Sequence, residues 1–349
     1  MAFLNIKYLY VDTKSLGSSV LKEVEERFPN AELTEVASHW RIPELNNNPE
    51  LLPKWAKVKR EYLVVGNKSR FTYQENGRST DFIGPSVANG CASACTYCYV
   101  ARRKGYANPV TIYSNREEMI ASWKRHLSKL GTKPPSQTHP TLWTYDIGCN
   151  NDISIDSMLC DTPRILIEEA RGTRALLSFA TKSVNLDMLN YDPQGNTRIR
   201  FSLMPESMRK VVDVGTDSTT DRIDAINDFV DAGYEVHLNF SPIIIKPGGS
   251  SEYIELLEQL NDTLTIKAKE QAKAEIIMLT HNQQLHELNL EWHPKGEALL
   301  WRPDIQERKT SLNGQANLRY DRHYKADAIR IFKSMLKQHA PWIEVRYAF

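Results

Sequence analysis

The stretch Gly90-Cys91-Ala92-Ser93-Ala94-Cys95-Thr96-Tyr97-Cys98-Tyr99 places three cysteines at a C-x3-C-x2-C spacing. Three thiolates on one short loop can hold three corners of a cubane [4Fe-4S] cluster. The fourth iron then lacks a protein thiolate and can bind a small molecule. The spacing therefore predicts an iron–sulfur site with Cys91, Cys95 and Cys98 as its ligands.

Zinc, disulfides and inert buried thiols are the other interpretations of this loop. A structural zinc site normally closes with four ligands, and the nearest histidine, His126, lies well past the loop on a predicted helix. The chain has five cysteines, an odd number, and Lys7 and Asp12 stand where a signal peptide would need an unbroken apolar core. The cluster is favoured, while zinc and inert thiols stay open as alternatives.

Composition limits the class of protein. With 349 residues, 41% of them hydrophobic, the chain can bury a large core and exceeds the usual size of one domain. No apolar run approaches the roughly 18 residues of a membrane span, so we expect a soluble, cytoplasmic protein without a membrane partner. Because the formal net charge is only +1, any nucleic-acid surface must be a local basic patch.

Apolar runs that suit buried strands alternate with segments of helical period. The predicted strands are 81–87, 141–147, 175–181, 198–204, 235–241 and 274–280. Strands alternating with helices imply a parallel sheet, and six βα units fit a partial (β/α)6 barrel better than a complete eightfold barrel. The sequence therefore predicts an α/β protein built on a partial barrel.

The predicted barrel occupies residues 81–285, between two smaller parts. Residues 1–80 form an N-terminal α/β extension, with strands at 8–11 and 62–65 and a helix at 20–28. Residues 286–349 form a C-terminal segment with a hairpin at Asn313-Gly314, a helix at 326–339 and a final strand at 343–347.

The cysteine motif resembles that of the radical S-adenosylmethionine (SAM) superfamily, and most of the chain resembles the spore photoproduct lyase family. The second resemblance rests on residues 90–100, on Tyr113, Asn115, Glu117 and Glu118, and on stretches such as Phe179-Ala180-Thr181-Lys182 and Thr197 to Ser202. It implies a radical SAM barrel with a [4Fe-4S] cluster and SAM as cofactors. It also implies a carbon–carbon lyase that reverses a thymine photodimer of the 5-thyminyl-5,6-dihydrothymine type in DNA.

The same resemblance assigns roles to individual residues. Cys149 would give a hydrogen atom to the product radical, and Tyr97 and Tyr99 would help to return it. Tyr99, Asn151, Lys182 and Ser202 would bind SAM, although the family usually has serine where this chain has Asn151. Carboxyl ends of barrel strands face the active site, so we expect Cys149, which follows the second barrel strand, to point inward. Simple packing is the alternative for Cys149 and for each tyrosine.

Two groups of basic residues are candidate DNA surfaces. One is Arg102-Arg103-Lys104, just after the cysteine loop. The other, which is favoured, is C-terminal: Arg302, Arg308, Lys309, Arg319, Tyr320 and Arg322, with Tyr324 and Lys325 nearby. A wedge formed by this hairpin could hold an extruded dinucleotide, because enzymes that act on bases must unstack them. A solvated charged loop is the alternative.

The sequence as a whole favours a DNA repair lyase that requires an electron donor such as flavodoxin or ferredoxin. Two alternatives stay open: a radical SAM enzyme that modifies another nucleobase or repairs a different lesion, and a non-catalytic Fe–S protein that binds nucleic acid.

Overall fold

A computed structural model describes residues 4–45, 48, 50–51, 54–100, 108–246, 251–310, 314 and 316–349. The chain divides into two compact units. The first unit comprises residues 1–94, 99–199 and 232–234, and the second comprises residues 95–98, 200–231 and 235–349.

The first unit begins with a mostly parallel sheet. Its strands are β1 (Tyr8–Asp12), β2 (Glu32–Val36), β3 (Tyr62–Gly66), β6 (Ala88–Asn89) and β7 (Val110–Tyr113), and its helices are α1 (Ser19–Arg27), α2 (Trp55–Glu61) and α3 (Arg116–Lys129). The strand order is β2-β1-β3-β7-β6, with β6 antiparallel to β7. Ser18 starts α1 because its hydroxyl accepts a hydrogen bond from Leu21 N at 3.2 Å. The predicted N-terminal strands and helix are confirmed.

The first half of the barrel sheet also lies in the first unit. Its strands are β4 (Gln74–Glu75), β5 (Phe82–Ile83), β8 (Trp143–Asp146) and β9 (Ala175–Thr181), in the order β9-β8-β5-β4. Strands β5, β8 and β9 are parallel, and helices α4 (Ile153–Leu159) and α5 (Thr162–Ala170) join β8 to β9. Strand β9 is almost wholly buried, which explains its continuous apolar sequence.

One predicted barrel strand is wrong as a continuous element. The segment 81–87 contributes β5 and then leaves this sheet, because Gly84-Pro85 interrupts it and proline has no N–H to donate to a neighbouring strand. The chain continues into β6, which pairs with β7 in the N-terminal sheet. The segment thus connects two sheets immediately before the cysteine loop.

The second unit continues the alternation of strands and helices. Strand β10 (Thr197–Leu203) leads into it, followed by β11 (Glu235–Ile243), β12 (Lys273–Met278) and the last strand, β16 (Glu344–Ala348), in the order β10-β11-β12-β16. Strands β11, β12 and β16 are parallel. The intervening helices are α6 (Glu206–Val212), α7 (Thr219–Asp231), α8 (Ser251–Thr263) and α9 (Ile266–Gln271). These elements confirm the predicted strands at 198–204, 235–241 and 274–280.

The C-terminal part of the second unit contains an antiparallel sheet and three helices. The strands β13 (Thr280–His281), β14 (Gln306–Thr310) and β15 (Ala316–Tyr320) follow the order β13-β15-β14, so the predicted hairpin is confirmed. The helices are α10 (Gln283–Trp292), α11 (Pro294–Leu300) and α12 (Arg322–His339). Across the described ranges, no helix is long and apolar enough to cross a membrane.

Candidate active site

The cysteine loop starts at a glycine that the backbone requires. Gly90 has a φ of +102°, and a Cβ at this position would lie 3.2 Å from the carbonyl oxygen of Pro109. Its amide donates a hydrogen bond to Asn150 O at 3.0 Å. Within the first unit, the start of the cysteine loop is therefore bonded to the loop that carries Cys149.

Cys91 is held from behind by a buried lysine. Lys59 Nζ donates hydrogen bonds to the carbonyl oxygens of Cys91, at 3.2 Å, and Asn108, at 3.4 Å. The Lys59 side chain, which comes from α2, is almost fully buried. Its positive charge suits a neighbouring anionic cluster, because hydrogen bonds and charges around the ligands tune an iron–sulfur site. The contact between Lys59 and Cys91 was not predicted, because these residues are 32 positions apart.

The segment from Cys95 to Cys98 is anchored within the second unit. Thr96 N donates to Val212 O at 2.8 Å, and Asn289 Nδ2 donates to Thr96 O at 2.9 Å. Asn289 also donates to the carboxylate of Glu297, at 2.6 Å. This network was not predicted, since its members are separated by up to 193 positions in sequence.

Glu297 is the centre of that network. Two histidines contact its carboxylate, His281 Nε2 at 3.0 Å and His286 Nδ1 at 2.6 Å. Burial raises the pKa of Glu297, but the hydrogen bonds from His281, His286 and Asn289 outweigh burial and leave the pKa below its ordinary value. A charged carboxylate therefore orients the amide that holds the cysteine loop.

The five cysteines all lie within the described ranges and none is in a disulfide. Among the described residues, no three cysteine, histidine, aspartate or glutamate side chains are grouped closely enough to hold a metal ion. The assignment of Cys91, Cys95 and Cys98 as cluster ligands therefore depends on their spacing and chemistry. Three unlinked thiols at this spacing suit the thiolate ligands of a [4Fe-4S] cluster.

The two tyrosines beside Cys98 have different surroundings. Tyr97, in the second unit, donates a hydrogen bond from its hydroxyl to Asp213. Burial, together with the negative charge of Asp213, raises the pKa of Tyr97 well above its ordinary value, which keeps the side chain a neutral phenol. Tyr99, in the first unit, is 54% exposed, and its hydroxyl donates to Cys149 O at 3.4 Å. The structure thus brings two of the predicted catalytic residues, Tyr99 and Cys149, together.

Cys149 sits on a tight turn after β8. The turn begins with a hydrogen bond from Gly148 N to Asp146 Oδ1 at 2.9 Å. A Cβ on Gly148 would lie 2.9 Å from Phe179 Cβ, so this position has no space for a side chain. Cys149 itself is half-buried. By contrast Cys160, at the end of α4, is buried, and burial raises its pKa to about 11.

Asp152 joins the ends of two neighbouring barrel strands. Its carboxylate accepts hydrogen bonds from Thr181 Oγ1 at 2.7 Å, from Lys182 N at 3.1 Å and from Ser154 N at 3.1 Å. Burial raises the pKa of Asp152 in spite of these donors. Two of the predicted SAM-binding residues therefore depend on Asp152. Lys182 is hydrogen-bonded to its carboxylate through the backbone N–H, and Asn151 precedes it directly in sequence.

The side-chain amide oxygens of Asn151 and Asn239 are among the buried acceptors that lack hydrogen-bond partners in the described part of the chain. Asn151 donates its amide to Asp156, and its Oδ1 has no partner. In the second unit, Asn239 Nδ2 donates to Ser202 Oγ at 3.2 Å, and Asn239 Oδ1 has no partner. Burying a hydrogen-bond acceptor without a donor costs free energy, so each of these two oxygens is suited to accept a hydrogen bond from a polar ligand. The ligand roles of Asn151, Lys182 and Ser202 stay predictions.

Arg222 connects Ser202 to Tyr97 within the second unit. Its guanidinium donates to Ser202 O at 2.5 Å and lies 3.8 Å from the carboxylate of Asp213, which accepts a hydrogen bond from the Tyr97 hydroxyl. Sequence reasoning missed Asp213 and Arg222 as parts of the site. Both side chains are fully buried, which is rare for charged residues unless they are paired.

The predicted DNA-binding residues are distributed over the hairpin and its flanks. Strands β14 and β15 pair Arg308 with Leu318 and Lys309 with Asn317. Since side chains alternate along a strand, Lys309 and Arg319 share one face and Arg308 lies on the other. Arg308, Lys309 and Arg322 are exposed.

Several members of that group have intramolecular partners, among them Lys309, whose Nζ lies 2.9 Å from Glu307 Oε1. Arg302 forms a two-point contact with Asp304, with Nε 2.9 Å from Oδ1. Tyr320 differs from the expectation, because it is only 2% exposed and its hydroxyl accepts a hydrogen bond from Ile245 N at 2.9 Å. Tyr320 therefore packs the hairpin against the rest of the second unit, and its ring is not available to stack on a base. Arg102, Arg103 and Lys104, and Asn313 of the predicted turn, lie outside the described residues.

Comparison with known proteins identifies the family. A family model described as spore photoproduct lyase matches residues 4–349. The curated spore photoproduct lyase of Bacillus subtilis (strain 168) is 24% identical over 273 residues, which is 77% of each chain. That of Geobacillus sp. (strain Y412MC61) is 25% identical over 258 residues, 73% of this chain and 72% of the relative.

Solved structures give the same result at the level of the fold. A spore photoproduct lyase complexed with dinucleoside spore photoproduct superposes with a TM-score of 0.87 at 22% identity, covering 100% of both chains. A mutant with bound AdoMet and the same dinucleoside gives 0.87 at 21%, covering 99% of this chain and 100% of the other. These matches confirm the predicted α/β class and partial barrel. Since the family model covers nearly the whole chain, this protein belongs to the spore photoproduct lyase family.

Proposed function

We propose that this protein is a radical SAM lyase that repairs spore photoproduct, the 5-thyminyl-5,6-dihydrothymine dimer, in DNA. The observation that carries the proposal is the junction of the cysteine loop with the Cys149 loop in the first unit. Gly90 N bonds to Asn150 O at 3.0 Å, and Tyr99 Oη lies 3.4 Å from Cys149 O. A radical enzyme of this kind needs its cluster loop and its hydrogen donor to be neighbours.

In this proposal each group of residues has a separate task. Cys91, Cys95 and Cys98 hold the [4Fe-4S] cluster, and Asn151, Lys182 and Ser202 hold SAM, with the Lys182 ammonium suited to the SAM carboxylate. When bound, the cluster and SAM would supply the radical chemistry that removes a ring hydrogen from the dimer. The methylene bridge between the two bases then breaks and leaves a radical on one thymine.

Cys149 ends the reaction by giving a hydrogen atom from its thiol to that thymine radical. The half-buried position of Cys149 leaves the thiol partly accessible, whereas Cys160 is buried. Tyr99, whose hydroxyl reaches the Cys149 backbone, is placed to return a hydrogen atom to the resulting thiyl radical. Tyr97, whose hydroxyl donates a hydrogen bond to Asp213, would take part in this return as a neutral phenol.

The test is anaerobic incubation of reconstituted protein with SAM, dithionite and a dinucleotide that carries spore photoproduct, followed by mass analysis. We expect paired thymines from the wild-type protein. Cys149→Ala should still cleave SAM and abstract the first hydrogen, but the stranded radical should be trapped as adducts with dithionite-derived species. Cys160→Ala is the matched control and should repair the dimer without adducts.

The outcomes separate the alternatives. SAM cleavage without repair of this dimer would favour a radical SAM enzyme for another base or lesion. No SAM cleavage by a protein with a full complement of iron would favour a non-catalytic Fe–S protein. Normal repair by a well-folded Cys149→Ala variant would show that Cys149 is only a packed thiol. An electron donor such as flavodoxin or ferredoxin replaces dithionite in the physiological reaction we propose.

A further inference from the structure

A cavity of about 270 Å³ opens in the first unit at the carboxyl ends of β3 and β7. Its lining consists of Trp40, Lys68, Ser69, Arg70, Ser86, Ala88, Asn89, Tyr113 and Asn150. Ligands of parallel α/β sheets bind outside the carboxyl ends of the strands. Asn150 follows Cys149 directly in sequence, so the cavity adjoins the loop of the proposed hydrogen donor.

The charges that line this cavity favour an anion. Lys68 and Arg70 are the charged members of the lining, and none of its described residues is acidic. Asn115 fixes the loop that carries them, because its side chain accepts a hydrogen bond from Lys68 N at 2.9 Å and donates one to Lys68 O at 3.0 Å. Two cations on a fixed loop suit a phosphate group.

Trp40 offers an aromatic surface at the same cavity. The side chain is 53% exposed, which is high for tryptophan, and its ring lies 5.1 Å from the ring of His39. His39 is buried and held by Asp12, with Nδ1 2.8 Å from the carboxylate. A Cβ on Gly66 would lie 2.5 Å from the His39 ring, so the imidazole is packed directly on the backbone of β3. The residue behind Trp40 therefore has a fixed position.

A buried acceptor completes the lining. Asn89 is 5% exposed, and its Oδ1 has no hydrogen-bond partner among the described residues. A buried carbonyl oxygen without a donor is unfavourable, so this atom calls for an N–H group from a ligand. An aromatic face, two cations and one acceptor together match a nucleotide: base stacking, phosphate and a base N–H.

We propose that this cavity binds the nucleotide next to the lesion on the damaged strand, an inference that rests on the proposed function. The base stacks on Trp40 and gives an N–H to Asn89 Oδ1, while the phosphate that links it to the lesion lies at Lys68 and Arg70. The volume lies just below the range of roughly 300–1,000 Å³ that is typical of small-ligand pockets, so it suits a single base and not the dimer itself.

The experiment compares three substrates with reconstituted protein in the absence of SAM: the spore photoproduct dinucleotide, and the same dimer with one extra nucleotide on its 5′ or its 3′ side. Equilibrium binding is measured for each. We expect the nucleotide on one side to tighten binding by about tenfold, as one stacked base does in single-strand binding, and that on the other side to add less.

Substitutions in the lining then identify the subsite. Trp40→Ala should abolish the gain from the extra nucleotide and leave the affinity for the dinucleotide unchanged, while Trp40→Phe should keep part of the gain. Lys68→Ala with Arg70→Ala should reduce the gain and its dependence on salt. The matched control is Arg125→Ala with Lys129→Ala, two exposed cations on α3 outside the cavity, which should change nothing.

Two results overturn the inference on its own. One is equal affinity for all three substrates, and the other is a gain that persists in full in Trp40→Ala. Repair of the dinucleotide by the wild-type protein under SAM and dithionite is measured in parallel. If none of the three substrates is repaired, the proposed function fails and this inference fails with it, so the two failures are distinguishable.

Discussion

Replacing Gly148 with alanine tests whether close packing behind Cys149 fixes the position of the thiol. The added Cβ would lie 2.9 Å from Phe179 Cβ and 3.4 Å from Ile153 Cγ1. Phe179 and Ile153 are fully buried, and the Phe179 atom is next to the backbone of β9, so it cannot swing away. Overpacking of this kind costs about 1–3 kcal/mol, and we expect the turn that carries Cys149 to shift in order to relieve it.

The matched control is Gly131→Ala, because a Cβ there would meet no atom within 4 Å. That change should leave stability the same or raise it by up to about 1 kcal/mol. Stability is compared from urea midpoints, and the labelling rate of each cysteine by iodoacetamide is measured by peptide mass spectrometry. Gly148→Ala should lower stability by about 1–3 kcal/mol and change the labelling rate of Cys149 but not of Cys160. Stability within about 0.5 kcal/mol of wild type, with unchanged labelling of Cys149, would refute the reasoning.

Three further predictions concern the second unit and the start of the barrel. Arg319→Ala with Arg322→Ala should weaken DNA binding and reduce its salt slope by about two, one for each lost phosphate contact; an unchanged slope would move the interface elsewhere. Asn289→Ala removes the donor to the cysteine loop and should speed the loss of iron to a chelator at unchanged helix content; wild-type iron retention would contradict this role. Burial raises the pKa of Asp81, but the hydrogen bond from Lys133 at 2.8 Å and other donors outweigh it and lower the pKa. The free energy of unfolding of the wild type should therefore exceed that of Asp81→Asn by a constant amount from pH 7 to about pH 4, the ordinary aspartate pKa. That difference should shrink as the pH falls further, through the lowered pKa of Asp81. A difference that grows on acidification would show that folding raises the pKa of Asp81.

Local sequence pattern was sufficient for most of the fold. The run 175–181 has the bounds of β9 because seven consecutive residues suited to burial can form only a covered strand or a short helix segment. Ser218 and Asp221 also form a capping box at the start of α7, with hydrogen bonds in both directions. The error at 81–87 arose because the chain changes its partner strand after Gly84-Pro85: β5 pairs with β8, and β6 pairs with β7. Which strand a segment pairs with is not visible in its local sequence.

The candidate site was predictable only where its residues are close to a motif. Cys149 and Tyr99 follow a strand end and the cysteine run, and they are in contact. Lys59 and Asn289 act on the cysteine loop from elements far away in sequence, so no spacing could reveal them. Tyr320 has an aromatic ring among basic residues, a pattern that is the same whether the ring faces solvent or, as here, the interior.

Cys149 and Cys160 differ in burial, and this difference predicts which of the two thiols is oxidised when the protein is kept in air. Oxidants attack thiolates that they can reach, and the buried Cys160, with its pKa raised to about 11, keeps its proton at neutral pH. Cys149, eleven residues earlier and half-buried, lacks that protection by burial. On the proposed mechanism, oxidation of Cys149 to a sulfinic acid removes the hydrogen donor irreversibly. Refilling such a preparation with iron and sulfide would then restore its colour without restoring clean repair.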